Sequence, residues 1–117
     1  MSDNIIKTKS FQFAIRIVNL YKQLISEKNE YVLSKQILRS GTSVGANVRE
    51  GVNAQSKADF IHKLSIAQKE CDETLYWLEL LKETKYIEDI LFTDIYNDAT
   101  ELLKILRSII ITSKKNK

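Results

Sequence analysis

The segment from Tyr31 to Asn53, YVLSKQILRSGTSVGANVREGVN, places apolar residues at Leu33, Ile37, Val44, Val48 and Val52. That spacing returns each to the same face of an α-helix. The middle of the segment is unusual. Ser40-Gly41-Thr42-Ser43-Val44-Gly45-Ala46 is a run of small residues with two glycines four apart. A glycine costs a helix interior about 1 kcal/mol relative to alanine, so the pair implies a compensating close approach by another backbone.

The flanking sequence carries the same periodicity in both directions. Before it, a helix over residues 10–28 has two adjoining apolar stripes. One holds Phe11, Ala14, Ile15, Val18, Tyr21 and Ile25, and the other Phe13, Ile17, Leu20 and Leu24. A helix apolar over more than half its circumference is buried on two sides. One side faces a bundle core, and the other calls for a partner, a neighbouring subunit being the natural candidate. Glu27-Lys28-Asn29-Glu30 forms the polar turn into the second helix, residues 31–53.

After it, Ser56 is a suitable N-cap for a third helix over 57–83, with Asp59 completing an aspartate variant of the capping box. Its main stripe is Phe60, Leu64, Ala67, Cys71, Thr74, Leu78 and Leu81, beside a second patch of Ile66, Trp77 and Leu80. Lys85-Tyr86-Ile87 leads to a fourth helix over 88–112, whose core face is Phe92, Ile95, Ala99, Leu102, Leu106 and Ile109. Such helices are roughly 30–40 Å long at about 1.5 Å per residue. Joined by short turns, they pack as an all-α, antiparallel, up-down-up-down four-helix bundle forming one domain over residues 1–117.

Composition agrees with this class. Hydrophobic residues make up 44% and charged residues 28% of 117, an ordinary globular balance, while proline is absent and glycine occurs three times. The single Cys71 has no intramolecular disulfide partner, which fits a cytoplasmic setting. The N-terminus runs polar through Asp3, Asn4, Lys7 and Lys9 and does not read as a signal peptide. The longest apolar run is Ile109-Ile110-Ile111, far short of a membrane span. The net charge is +3 and the pI about 8.9, below the strongly basic range of most non-specific duplex binders. Along the chain the charge is only mildly uneven: residues 56–83 are slightly acidic and the rest slightly basic.

On the second helix, Arg39, Ser43, Asn47 and Glu50 share one flank beside the apolar stripe. Glu70 and Glu73 lie at the corresponding border of the third. Such groups form either a binding cleft or a polar network that fixes helix register or subunit docking, the second being preferred because partly buried polar groups must be paired. On that reading, removing the Arg39 side chain costs several kcal/mol or splits the oligomer. A dinuclear metal site needs Glu-x-x-His motifs; the only histidine, His62, belongs to none. A helical ribonuclease with arginine and histidine closely spaced is also disfavoured, since Arg49 lies thirteen positions before His62. Cys71 falls on the core stripe as a small hydrophobe. No glycine-rich phosphate loop or Gly-x-Ser-x-Gly occurs. The expectation is no catalytic residue, no metal and no cofactor. Lys104, Arg107, Lys114, Lys115 and Lys117 have two readings: offsetting the macrodipole at a helix C-terminus, or contacting phosphates.

The stretch Leu38-Arg39-Ser40-Gly41-Thr42-Ser43-Val44-Gly45-Ala46-Asn47-Val48-Arg49-Glu50-Gly51 closely resembles the signature of the bacterial 23S rRNA-intervening-sequence protein family. The resemblance continues through Ser56, Lys57, Asp59 and Phe60 and through Lys69-Glu70-Cys71-Asp72-Glu73-Thr74-Leu75-Tyr76-Trp77-Leu78. It implies an up-down bundle assembled as a ring-like homopentamer. Some members are encoded inside insertions within 23S rRNA genes, a location that does not itself establish a ribosomal role. The fold is also similar to the accessory protein of diversity-generating retroelements, a pentamer that binds a reverse transcriptase and nucleic acid. Arg39, Ser43, Asn47, Glu50, Glu70 and Glu73 match the family's motif positions, with no catalytic role attached. The resulting expectation is a non-enzymatic homo-oligomer that binds RNA or a ribonucleoprotein. The alternative is a protein-interaction scaffold, for example an adaptor for a reverse transcriptase, without nucleic-acid contact.

Overall fold

With links of only four or five residues between them, consecutive helices have room to reverse direction and little else. The computed structural model describes residues 2–116. Among them the chain forms four α-helices and no strand: α1 (Ser2–Lys28), α2 (Leu33–Val52), α3 (Lys57–Glu83) and α4 (Asp89–Lys115). The rods lie side by side in a body of 49 × 21 × 19 Å. Pairs across the α1/α2, α2/α3 and α3/α4 seams run in opposite numerical order, as in an up-down-up-down bundle: Gly45 with Ser10 and Gly41 with Ile17, Glu50 with Lys63 and Arg39 with Glu70, Cys71 with Ala99 and Glu79 with Tyr96.

The two stripes of α1 have different fates. Phe13, Ile17, Leu20 and Leu24 are buried, whereas Phe11 and Ile15 are left exposed on the outside. The buried row also extends backwards through Ser10 and Ile6, both almost fully enclosed. This is why α1 begins at Ser2 rather than near residue 10: the core offers a place for Ile6, and burial outweighs the polar character of the surrounding residues. The fourth helix likewise runs three residues past 112, to Lys115. The second is shorter than its pattern, starting at Leu33 and ending at Val52. Leu64, Ala67, Cys71, Thr74, Leu78 and Leu81 of α3 and Ile95, Ala99, Leu102, Leu106 and Ile109 of α4 fill the core as their periodicity implies.

The small-residue run of α2 lets α1 come close. A Cβ on Gly45 would stand 3.1 Å from the Ser10 carbonyl oxygen, and one on Gly41 would stand 2.7 Å from Cγ1 of Ile17. A buried hydroxyl pair lies beside them, with Ser40 Oγ and Thr74 Oγ1 hydrogen-bonded at 2.9 Å. The α1/α4 seam is instead bridged by charge. Arg16 donates to Asp98 at 2.5 Å and to Asp94 at 2.8 Å, and Lys9 to Glu101 at 3.1 Å.

Helix ends have local causes. Asn29 (φ 52°) and Lys85 (φ 69°) adopt the left-handed conformation that stops α1 and α3. Glu30 N–H then returns to the Leu24 carbonyl at 3.0 Å. The Glu30 carboxylate is itself buried and accepts from the backbone N–H of Val32, Leu33 and Ser34 at 3.2, 3.0 and 2.6 Å. Burial alone would raise its pKa, but these donors outweigh it and hold Glu30 below its ordinary value. Ser56 caps α3 by accepting from Asp59 N–H at 3.1 Å. No helix of the described residues is long and apolar enough to cross a membrane.

Candidate functional site

The motif flank of α2 meets α3 through one arginine. Arg39 donates through Nη1 to Glu70 Oε1 at 3.1 Å and through Nη2 to Glu73 Oε2. Trp77 Nε1 donates to the same Glu73 oxygen at 3.1 Å. The arginine is 50% exposed and Glu70 only 15%, so the cluster lies at the rim of the α2/α3 seam rather than in a cleft. Ser43 and Asn47 do not join it. Ser43 Oγ donates to the Arg39 carbonyl at 2.6 Å, and Asn47 Nδ2 to the Ser43 carbonyl at 2.9 Å. Glu50 sits further along and pairs with Lys63 at 2.9 Å. The six motif residues therefore divide into one ion-paired trio, two side chains bonded to their own helix, and one separate pair.

On the adjacent face, α1 and α2 frame an open groove of about 400 Å³ whose lining includes Phe11, Ala14, Thr42, Gly45, Ala46 and Arg49. The Arg49 guanidinium lies 5.6 Å above the Phe11 ring centroid. Phe11 is 53% exposed and Ile15, one turn on, 47%. Large apolar knobs on α1 thus stand next to a shallow trough of small residues on α2.

The third feature is charge. The antiparallel fold brings residues 2–15, 43–69 and 101–116 into one half of the rod, and residues 16–42 and 70–100 into the other, with Cys71 and Ala99 in contact near the dividing plane and Glu101 beside Lys9. The first half holds ten basic and four acidic residues, a formal +6. The second holds seven basic and eleven acidic, a formal −4. Lys104, Arg107, Lys114 and Lys115 are all exposed on α4 in the basic half, as are Lys57 and Lys69 on α3. Lys117 lies outside the described residues.

The family model described as 23S rRNA-intervening sequence protein matches residues 2–108. The chain belongs to that family. A solved structure of a protein of unknown function from the S23 ribosomal protein family of Bacteroides thetaiotaomicron is 62% identical, with a TM-score of 0.93 over 94% of this chain and 98% of that one. No curated protein matches.

For this 23S rRNA-intervening sequence family member, the linear reading located the Arg39–Glu70–Glu73 trio but missed two structural elements. Glu30 does lie in the polar turn between α1 and α2, but its burial and its acceptance of three backbone N–H groups at the start of α2 are not read from that placement. The segregation of charge was also invisible, because it arises only when the antiparallel fold gathers portions of all four helices at each end. Cys71 is buried and its thiol donates to the Ala99 carbonyl at 3.2 Å. Burial pushes its pKa up to about 12, so it stays a neutral thiol at physiological pH. Among the described residues, no group of three or more His, Cys, Asp or Glu is arranged to hold a metal ion.

Proposed function

We propose that this protein is a non-enzymatic homo-oligomer that binds RNA through its basic half, in a cytoplasmic setting. The observation that carries the reading is the division of the rod into a +6 and a −4 half. A net charge of +3 spread evenly would attract a polyanion weakly, whereas the same charges gathered at one end make a local basic surface. Assembly rests on the α1/α2 face. Phe11 and Ile15 of one copy are of a size to enter the Thr42–Gly45–Ala46 trough of another, and exposed apolar stripes of this kind mark interaction surfaces. With α1 and α2 turned toward neighbours, the exposed cations of α3 and α4 stay outward, and every added subunit multiplies them. The family resemblance to ring-like pentamers fits this arrangement.

The test combines mass by light scattering with binding of nuclease-treated protein to structured RNA across a salt series. An oligomer whose affinity falls steeply with salt supports the reading. A monomer that binds no RNA at low salt retires it.

A second reading, a protein-interaction scaffold for a partner such as a reverse transcriptase, is favoured by the opposite end. There Ile90 is 85% and Val32 70% exposed, within the acidic half. The same experiment separates the two, since a scaffold of this kind shows no salt-sensitive RNA binding.

A further inference from the structure

We infer that the ligand of the basic half is the phosphate backbone of helical, double-stranded RNA rather than an unstacked single strand. The inference rests on the RNA-binding reading above and adds the form of RNA recognised.

Two independent observations carry it. The first is the distribution of aromatic side chains. Proteins that hold single strands stack the bases on exposed aromatic rings. In the basic half, Phe13 is buried, Phe60 is partly buried, and Phe11 has Arg49 over its ring beside the α1/α2 groove. All five tyrosines and the tryptophan (Tyr21, Tyr31, Tyr76, Trp77, Tyr86 and Tyr96) fall in the acidic half. Apart from Phe11, the one exposed Phe, Tyr or Trp ring of the basic half, the cations and the rings that a single-strand platform would interleave are thus held at opposite ends of the molecule.

The second is the layout of the cations. Lys104, Arg107 and Lys115 lie on the solvent face of α4, with Lys114 at its border and exposed Ser108 and Ile111 between them. At about 1.5 Å per residue, the row from Lys104 to Lys115 is roughly 16 Å long and straight. Its positions are fixed by a helix whose opposite face, Leu102, Leu103, Leu106, Ile109 and Ile110, is anchored in the core. A rigid row of charges suits a rigid, regularly spaced array of phosphates. A flexible strand would lose conformational entropy to follow it and would gain no stacking in return. A-form RNA is recognised mainly by shape and by phosphate and 2′-hydroxyl contacts, which these side chains are able to make.

The experiment compares a 20-base-pair RNA duplex with an unstructured single strand of 20 nucleotides under the same buffer and salt, using the intact oligomer. The expected result is at least tenfold tighter binding of the duplex. The double variant Lys104→Glu/Arg107→Glu, exposed at both positions and therefore expected to keep its helical content and mass, should lose at least tenfold in duplex affinity. Equal or tighter binding of the single strand overturns this inference and leaves RNA binding standing. Binding of neither probe at low salt overturns the RNA-binding reading itself. A folded double variant with unchanged duplex affinity shows that the row on α4 is not the contact.

Discussion

Gly41 of α2 rests against Ile17 of α1 so tightly that a Cβ on the glycine would lie 2.7 Å from Cγ1 and 2.8 Å from Cγ2 of the isoleucine. Ile17 is fully buried and branched at Cβ, so both γ carbons are tied to the backbone position and have no open space to turn into. Gly41→Ala is therefore expected to lose more from this clash than it gains in helix propensity, with a net destabilisation of about 1–3 kcal/mol. Chemical denaturation measures it, and Ile17→Ala, which removes both γ carbons, should cost less in the Gly41→Ala chain than in the wild-type chain. An unchanged midpoint for Gly41→Ala alone would refute the packing argument.

Arg39→Ala tests the α2/α3 trio. Full burial would make the loss several kcal/mol, but the guanidinium is half exposed and Glu73 keeps its bond from Trp77 Nε1. The expected cost is accordingly about 1 kcal/mol, read as a small shift in thermal midpoint without a change in mass. Dissociation of the oligomer in this variant would mean that the trio lies at a subunit contact instead.

Glu30 sets an acid limb on stability. Its folded-state pKa lies below the ordinary 4.5. The stabilisation is thus fully present above the unfolded value and is lost as the pH falls through the folded one. Glu30→Ala should cost about 1–2 kcal/mol at neutral pH and less in acid. Denaturation curves for the two proteins should converge once the pH has dropped well below 4.5; a gap that stays constant down to that range contradicts the capping role.

Ile15→Glu addresses assembly. Ile15 is 47% exposed on the outer stripe of α1 and makes no part of the core. The substitution should leave helical content intact and yield a monomer by light scattering. Its RNA affinity should fall together with the slope of binding against salt, because fewer phosphates are engaged per complex. Retention of the oligomer would remove the α1/α2 face as the interface.

The fold was legible in the sequence because its core is written in helical periodicity alone. The Leu64–Ala67–Cys71–Thr74–Leu78–Leu81 row of α3 is buried as spaced, and the glycine pair of α2 does face a close neighbour. Which stripe of α1 turns inward was not legible, since Phe13–Ile17–Leu20–Leu24 and Phe11–Ile15–Val18 are equally apolar and periodicity does not rank them. The start of α1 was misplaced because the Ile5–Ile6 pair stands alone among polar residues and only tertiary packing recruits Ile6. The motif flank was half legible: register brings Arg39 to Glu70 and Glu73, but Ser43 and Asn47 choose backbone carbonyls four residues back, a local option available to short polar side chains in any helix.

The division of charge gives each bundle an electrostatic moment along its long axis. Two rods side by side attract when they point in opposite directions and repel when they point the same way. A ring whose rods stand along its cyclic axis forces the second case, because symmetry then puts all like poles on the same rim. Such a ring must hold its neighbours through apolar contact against this repulsion, and screening ions or a polyanion lying across the positive rim would relieve it. Self-assembly should then strengthen with salt over the very range in which RNA binding weakens, and bound RNA should act as a clamp on the assembly that binds it.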